Sequence, residues 1–272
     1  MQVKVCNIRE NGFESDFIDS VVNTGFAVIT HHGIDGSLIK EAQDAWRQFF
    51  LLKTEEKKFF TNQTDPNMGY KSFGSEKAVG AKKPDLKEFF QWCPGQEIPA
   101  EVFGITQKMF FMLEDLSGRL LTAIDNHSGD TSYRQDCDMS DNTIIRSLYY
   151  PAFNFTDNTG ATRSAAHEDI NFITLLVAAS SSGLQVLDRN GKWHSVPHEE
   201  NSIVVNIGDM LQLASKGLYK STTHRVVNPE NSTSDRISMP LFVHPRSEIV
   251  LADGVTAKQF LDERLNQIYL KG

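Results

Sequence analysis

Apolar residues recur every three or four positions in the first half of the chain and again at its end, which is the spacing of amphipathic helices. This spacing predicts helices over 16–22, 37–52, 106–125 and 256–270. Ser37 is predicted to cap the second of them. The segment 64–83 is rich in Gly, Pro, Asn and Lys, a composition typical of a loop. Residues 1–130 are therefore predicted to form a helix-rich amino-terminal region.

A second pattern consists of short apolar, β-prone runs bounded by turn residues. It predicts strands over 26–30, 143–150, 183–186 and 203–210. Most of these runs fall between residues 140 and 250, where we expect the β-rich core. At 272 residues and 40% hydrophobic content, the chain is predicted to be a single domain, mainly β with flanking α-helices.

The net charge indicates which partners to expect, and the cysteines indicate the compartment. A net charge of −8 without a basic cluster argues against nucleic acid. No apolar run has the length of a membrane span, and the amino terminus lacks the apolar core of a signal peptide. Three cysteines without metal-site spacing fit reduced thiols. We expect a cytoplasmic protein that acts on a small molecule, away from membranes, and the sequence leaves its oligomeric state open.

Two histidines and a carboxylate form the strongest chemical pattern. His167 and Asp169 are two residues apart at a β-prone run, so strand alternation directs both side chains to one face. His224 follows 55 residues after Asp169, at the start of another β-prone run. Two imidazoles and one carboxylate on one face of a metal ion are typical of non-haem Fe(II) oxygenases. The three residues are therefore predicted to ligate iron and leave coordination positions open.

The order of motifs around this set resembles the isopenicillin N synthase-like branch of Fe(II)- and 2-oxoglutarate-dependent oxygenases. The resemblance covers nearly the whole chain. Its motifs are Gly25 to Val28, His32-Gly33-Ile34, Phe49-Phe50, Tyr149-Tyr150-Pro151, His167-x-Asp169, Gly183-Leu184-Gln185-Val186, Asn206 with Gly208-Asp209, His224-Arg225-Val226 and Arg236-Ile237-Ser238.

The resemblance implies a double-stranded β-helix, or jelly-roll barrel, and a co-substrate pocket beside the iron. It implies Fe(II), 2-oxoglutarate and O2 as reactants, ascorbate as a candidate reductant, and succinate and CO2 as products. Arg236 and Ser238 would share one strand face, where a guanidinium fork matches a carboxylate in charge and geometry. Tyr150 is the third residue expected to bind 2-oxoglutarate. Hydroxylation of a small molecule is the expected outcome, with desaturation and ring closure left open.

Two residues are candidates for substrate binding. Arg146 shares a strand face with Tyr150, which predicts that it binds a carboxylate of substrate or co-substrate. Tyr70 lies in a segment that borders the substrate pocket in the resembled family, although a packing role at an exposed position explains it equally well. Phe153 and Phe242 would suit an apolar part of the substrate.

Three other functions are compatible with the same residues. The first is a substrate-driven oxidase without 2-oxoglutarate, because such relatives also carry the Arg and Ser pair, and because Leu148 stands where many plant members have an asparagine. The second is a zinc hydrolase, since zinc accepts the same ligands. The third is a catalytically silent binding protein, which would have no need of the metal ligands or of Arg236.

Overall fold

The computed structural model of the chain describes residues 1–76, 84–129, 132–152, 163–177, 183–227 and 234–269. Its helices pack on one side of a large sheet and at the carboxyl end. They are α1 (Phe13–Thr24), α2 (Gly36–Phe50), α3 (Thr54–Lys58), α4 (Ala100–Ser128), α5 (Tyr133–Cys137), α6 (Asp209–Ala214) and α7 (Ala257–Tyr269).

The described strands form two facing sheets and a small hairpin. They are β1 (Val5–Asn7), β2 (Phe26–Thr30), β3 (Gly69–Lys71), β4 (Glu88–Trp92), β5 (Ile144–Tyr150), β6 (Ser164–His167), β7 (Ile173–Val177), β8 (Leu184–Leu187), β9 (Trp193–Ser195), β10 (Ile203–Ile207), β11 (His224–Val226), β12 (Arg236–Val243), β13 (Val250–Ala252) and β14 (Val255–Thr256). The eight-stranded major sheet has the order β1-β2-β10-β7-β12-β5-β4-β3, and the minor sheet the order β6-β11-β8-β9.

The chain alternates between the two sheets from β5 onwards. Strands β5, β7, β10 and β12 belong to the major sheet, whereas β6, β8, β9 and β11 belong to the minor sheet. This alternation of antiparallel strands between facing sheets is the jelly-roll arrangement. The predicted double-stranded β-helix with flanking helices is therefore confirmed.

Strand alternation gives the major sheet two different faces. On β12, Ile237, Met239 and Leu241 point into the main apolar core, which the helices cover. The other set of alternating β12 residues, which includes Arg236 and Ser238, points to the space between the two sheets. A smaller apolar cluster that includes Val186 of the minor sheet closes part of this space. One face of the sheet thus packs in the apolar core, and the other face holds the residues of the candidate site.

Several predicted element ends shift for local physical reasons. Helix α2 is capped by Asp35 and not by Ser37, because the Asp35 carboxylate accepts a hydrogen bond from the Ser37 amide at 2.8 Å. Helix α4 begins at Ala100, six residues before its predicted start, although Gly104 weakens the helical pattern there. The predicted loop contains strand β3, whose Tyr70 pairs with Phe90 of β4. Residues 77–83 of that loop lie outside the described ranges.

Among the described residues, no helix combines the length and the apolar character needed to cross a bilayer. Helix α4 is the longest of them, with 29 residues, and it carries charged side chains along its exposed face.

A close backbone approach fixes the turn between β10 and α6. The amide of Gly208 donates to the carbonyl of Phe172 at 2.9 Å, and the Asp209 amide donates to the carbonyl of Asp169 at 2.7 Å. A Cβ atom at Gly208 would lie 2.1 Å from the carbonyl oxygen of Asn171. Since that atom belongs to the backbone, the clash cannot be relieved by a side-chain rotation.

We predict that Gly208→Ala destabilises the fold by about 2 kcal/mol or more, since overpacking against fixed atoms has costs of this order. Gly104→Ala is the matched control, because a Cβ at Gly104 of helix α4 meets nothing within 4 Å. Alanine there should stabilise the protein by about 0.5–1 kcal/mol. Urea unfolding of both variants measures the difference. Equal unfolding free energies would contradict the proposed role of the close approach.

Candidate metal centre and its surroundings

Antiparallel pairing brings the two predicted histidine ligands together. His224 at the start of β11 is the register partner of His167 at the end of β6, and their ring centroids are 4.4 Å apart. Asp169 follows in the turn between β6 and β7. Its Oδ1 lies 3.7 Å from His167 Nε2 and 3.8 Å from His224 Nε2. The structure therefore assembles the three predicted ligands around one point, with all ligand atoms within 4.8 Å of one another.

The hydrogen bonds of both imidazoles fit a metal ion at that point. Nδ1 of His167 lies 2.8 Å from the carbonyl oxygen of Ala165, and Nδ1 of His224 lies 3.1 Å from that of Thr222. A carbonyl can only accept, so each Nδ1 carries the proton and each Nε2 keeps its lone pair for a metal. The same tautomer is thus imposed on both rings.

The carboxylate of Asp169 is oriented by two neutral donors. Its Oδ2 accepts from the Thr174 hydroxyl at 2.6 Å and from the Asn206 amide at 2.8 Å. These bonds leave Oδ1 facing the two Nε2 atoms. Asn206 belongs to the motifs of the resemblance, but its contact with Asp169 was not predicted, and Thr174 was missed. Both are on strands adjacent in the major sheet, where Asn206 pairs with Thr174.

The electrostatics of His167 and Asp169 favour their metal-binding forms. Burial, together with the neighbouring His224, lowers the pKa of His167, so the ring stays neutral. Burial alone would raise the pKa of Asp169. The two histidines and the bonds from Asn206 and Thr174 outweigh it and hold the pKa below its usual value. A neutral imidazole and an ionised carboxylate are the forms that ligate Fe(II).

The predicted co-substrate residues meet on the same inner face of the major sheet. Arg236 is the register partner of Tyr150, and Ser238 that of Leu148, so β12 and β5 place these side chains side by side. The guanidinium carbon of Arg236 lies 5.0 Å from the Tyr150 ring centroid. Arg236 is only 2% exposed. Burial lowers its pKa, while Tyr150 raises it. A buried guanidinium beside a phenol and a hydroxyl suits a carboxylate ligand.

A second arginine, Arg163, also lies near Tyr150, and this residue was not predicted. Arg163 is buried, and its Nη2 donates to the carbonyl oxygen of Ser234 at 3.2 Å. Its guanidinium carbon lies 6.0 Å from the Tyr150 ring centroid. Burial and the charge of Arg236 both lower the pKa of Arg163. Because Arg163 is 73 positions from Arg236, nothing in the local sequence pattern could have indicated their proximity.

Arg146 lies on the inner face of β5, as predicted, with its guanidinium between two aromatic rings. The guanidinium carbon is 4.4 Å from the Phe89 centroid and 5.2 Å from the Phe242 centroid. Its Nε donates to the side chain of Gln91 at 2.8 Å, and its Nη1 donates to Glu76 at 3.3 Å. A carboxylate of the chain itself therefore already contacts the residue predicted to bind a carboxylate ligand.

The substrate role predicted for Tyr70 has to be corrected. Tyr70 pairs with Phe90, whose ring packs against Trp46 in the core beneath the helices. Arg146, in contrast, pairs with Gln91 and lies on the opposite face of the sheet. Tyr70 is 2% exposed, and its hydroxyl donates to Glu88. Because Phe90 and Gln91 are neighbours on β4, their pairing partners Tyr70 and Arg146 point to opposite faces of the sheet.

Of the two predicted apolar contacts, one can be placed. Phe242 lies on β12 against Arg146, on the face that points between the sheets. Phe153 lies outside the described residues.

Two family models match parts of this chain. Residues 141–245 match the model of the 2OG-Fe(II) oxygenase superfamily. Residues 13–105 match the model described as the non-haem dioxygenase in morphine synthesis N-terminal region.

Solved structures and a curated relative extend the match over nearly the whole chain. An oxygenase structure from Shewanella oneidensis is 34% identical, with a TM-score of 0.87 over 99% of this chain and 100% of that one. A 2OG-Fe(II) oxygenase family protein from Caulobacter crescentus is 31% identical, with a TM-score of 0.83 over 98% and 99%. Feruloyl CoA ortho-hydroxylase 1 of Arabidopsis thaliana is 27% identical over 92% of this chain and 70% of its own length. The two family models, together with relatives of 34% and 31% identity over nearly the whole chain, show that this chain belongs to the 2OG-Fe(II) oxygenase superfamily.

Proposed function

We propose that the protein is an Fe(II)- and 2-oxoglutarate-dependent dioxygenase that hydroxylates a small molecule and releases succinate and CO2. The observation that carries the proposal is the convergence of Asp169 Oδ1 with the Nε2 atoms of both histidines. The buried Arg236, 5.0 Å from the Tyr150 ring centroid, adds a group that suits a carboxylate. Feruloyl CoA ortho-hydroxylase 1 is a hydroxylase by name, which supports hydroxylation as the reaction type.

The residues of the site form two groups with different tasks in this proposal. His167, Asp169 and His224 hold Fe(II), which, when bound, supplies the redox chemistry that activates O2. Arg236, Ser238 and Tyr150 bind the distal carboxylate of 2-oxoglutarate and so orient its keto acid end towards the metal. A metal ion held by these three side chains alone would remain open to the co-substrate and O2.

We propose that the substrate contacts the part of the inner face of β5 and β12 that surrounds Arg146. Arg146 is held between Phe89 and Phe242, so it presents a planar cation framed by apolar rings. We propose that a small substrate with an acidic group and an apolar part binds there, and that the acidic group competes with Glu76 for Arg146.

We also propose a cytoplasmic location, away from nucleic acid and membranes. It is supported by Cys6, Cys93 and Cys137, which are buried free thiols. Burial raises the pKa of Cys6 to about 11 and that of Cys93 to about 11, so both stay protonated. Such thiols suit a reducing compartment.

The metal assignment predicts that His224→Ala abolishes tight Fe(II) binding. Protein mixed anaerobically with Fe(II) and 2-oxoglutarate should show a visible metal-to-ligand charge-transfer band, and the variant should lose it. His198→Ala is the matched control, since His198 is exposed and lies outside the site. A band of full strength in His224→Ala would refute the ligand assignment. If Fe(II) binds to the natural protein but no band forms, the oxidase that does not use 2-oxoglutarate becomes the better description.

The co-substrate assignment predicts that Arg236→Ala raises the KM for 2-oxoglutarate about tenfold or more. Hydrogen bonds to charged groups contribute about 1.5–3 kcal/mol, and 1.4 kcal/mol corresponds to a factor of ten. Succinate release at varied 2-oxoglutarate concentration measures this effect. Arg189→Ala, at an exposed position, should leave the KM unchanged. Equal KM values for the two variants would reject the assignment.

The substrate proposal predicts that Arg146→Ala raises the KM for an acidic substrate about tenfold, because a charge-assisted hydrogen bond is lost. Substrates are found by screening small carboxylic acids and their amides for stimulation of succinate release. Glu76→Gln should change the KM in the opposite direction, since the competing carboxylate is removed. Unchanged substrate affinity in Arg146→Ala would exclude the contact.

A further inference from the structure

A buried ion cluster lies on the site face where β4 begins. The Nζ of Lys87 is 2.8 Å from Asp85 Oδ2 and 2.6 Å from Glu76 Oε2. The side chains of Lys87 and Asp85 are only 6% and 4% exposed. Charges so far from water are costly unless they are paired and hydrogen-bonded. Lys87 therefore fixes the orientation of the Asp85 carboxylate.

The second oxygen of Asp85 contacts the strand that carries an iron ligand. Asp85 Oδ1 accepts a hydrogen bond from the amide of Ala165 at 3.1 Å. The carbonyl of that same residue lies 2.8 Å from Nδ1 of His167 and sets the tautomer of the ring. A continuous series of contacts thus runs from Lys87 through Asp85 and Ala165 to His167.

Strand β6 needs such support more than β11 does. Strand β11, which carries His224, has β6 on one side and β8 on the other. Among the described strands, β6 pairs with β11 alone, so it forms an edge of the minor sheet. Backbone donors at a sheet edge lack a strand partner. Asp85 supplies the acceptor for Ala165 at this edge, two residues before the ligand.

We propose that Asp85, held by Lys87, is a positioning residue for the iron ligand His167. The inference rests on the proposed function, because it takes His167 to bind Fe(II). Without the Asp85 carboxylate, the edge of β6 loses its anchor, and the His167 ring is held less firmly in the orientation that the metal requires. Mutation of a group that orients a metal ligand typically lowers metal affinity by about 10–100-fold.

The chain contains a matched control on the other face of β4. Lys57 Nζ lies 2.7 Å from Glu88 Oε2, and these side chains are 6% and 9% exposed. This pair is also a buried lysine with a carboxylate, but it contacts Tyr70 and the carbonyl of Phe50 beneath the helices. Its loss should lower stability without reaching the metal ligands.

The experiment compares Asp85→Ala with Glu88→Ala. Fe(II) affinity is measured anaerobically, without 2-oxoglutarate, by competition with a chelator, and the thermal unfolding of the metal-free protein is recorded in parallel. We expect both variants to lower the Tm. Only Asp85→Ala should weaken Fe(II) binding, by about tenfold. Fe(II) affinity within twofold of the natural protein in Asp85→Ala, or an equal loss in Glu88→Ala, would overturn the proposal.

A milder pair keeps the test decisive if Asp85→Ala does not fold. Asp85→Asn retains an oxygen that can accept from Ala165 but loses the charge that Lys87 holds. It should weaken Fe(II) binding by about threefold or more, while Glu88→Gln should not. If the natural protein itself binds no Fe(II), the proposed function and this inference both fall. If it binds Fe(II) and neither Asp85 variant differs from its control, only the positioning role falls.

Discussion

The site depends on one constraint: three donor atoms must face a common point while the other polar atoms of the same side chains are hydrogen-bonded elsewhere. Backbone carbonyls hold both Nδ1 atoms, and Thr174 and Asn206 hold Oδ2 of Asp169. These bonds also offset the cost of removing an ionised carboxylate from water. The ligand atoms are thereby oriented before a metal arrives.

The jelly roll can meet this constraint because the two faces of its major sheet have different roles. Because successive residues of a strand point to opposite sides, β12 contributes Ile237 to the core and its neighbours Arg236 and Ser238 to the site. The helices cover the core face, so the inner face is free to carry polar groups. Core packing and site chemistry therefore occupy the same strands without competing for the same positions.

Charged groups enclose the metal site on the side of β4 and β5. Glu76 joins Lys87 to Arg146, and Asp85 joins Lys87 to the strand that carries His167. Lys87 and Arg146 lower the pKa of Glu76 to about 2, although burial alone would raise it, so this carboxylate is ionised at neutral pH. The wall near the metal is consequently built from paired charges, and its rigidity depends on the pairs remaining intact.

Local periodicity is enough to predict several helices and strands of this fold. These include the strand over 143–150 and the long helix α4, because alternation and the helical repeat act between near neighbours. His167 and Asp169 were predicted to share one face of a strand, whereas Asp169 lies in the turn that follows β6. The motifs added the remaining ligand His224 and the Arg236 and Ser238 pair through the resemblance.

Contacts between segments far apart in the sequence depend on how the strands and sheets assemble. Register placed Tyr70 on the core face, and the packing of the two sheets against each other brought the Asp85 side chain to the amide of Ala165, 80 positions away. It also brought Arg163 beside the same tyrosine as Arg236. Local sequence carries no signal for such contacts, because they depend on which strands become neighbours and on the face that each side chain then shares.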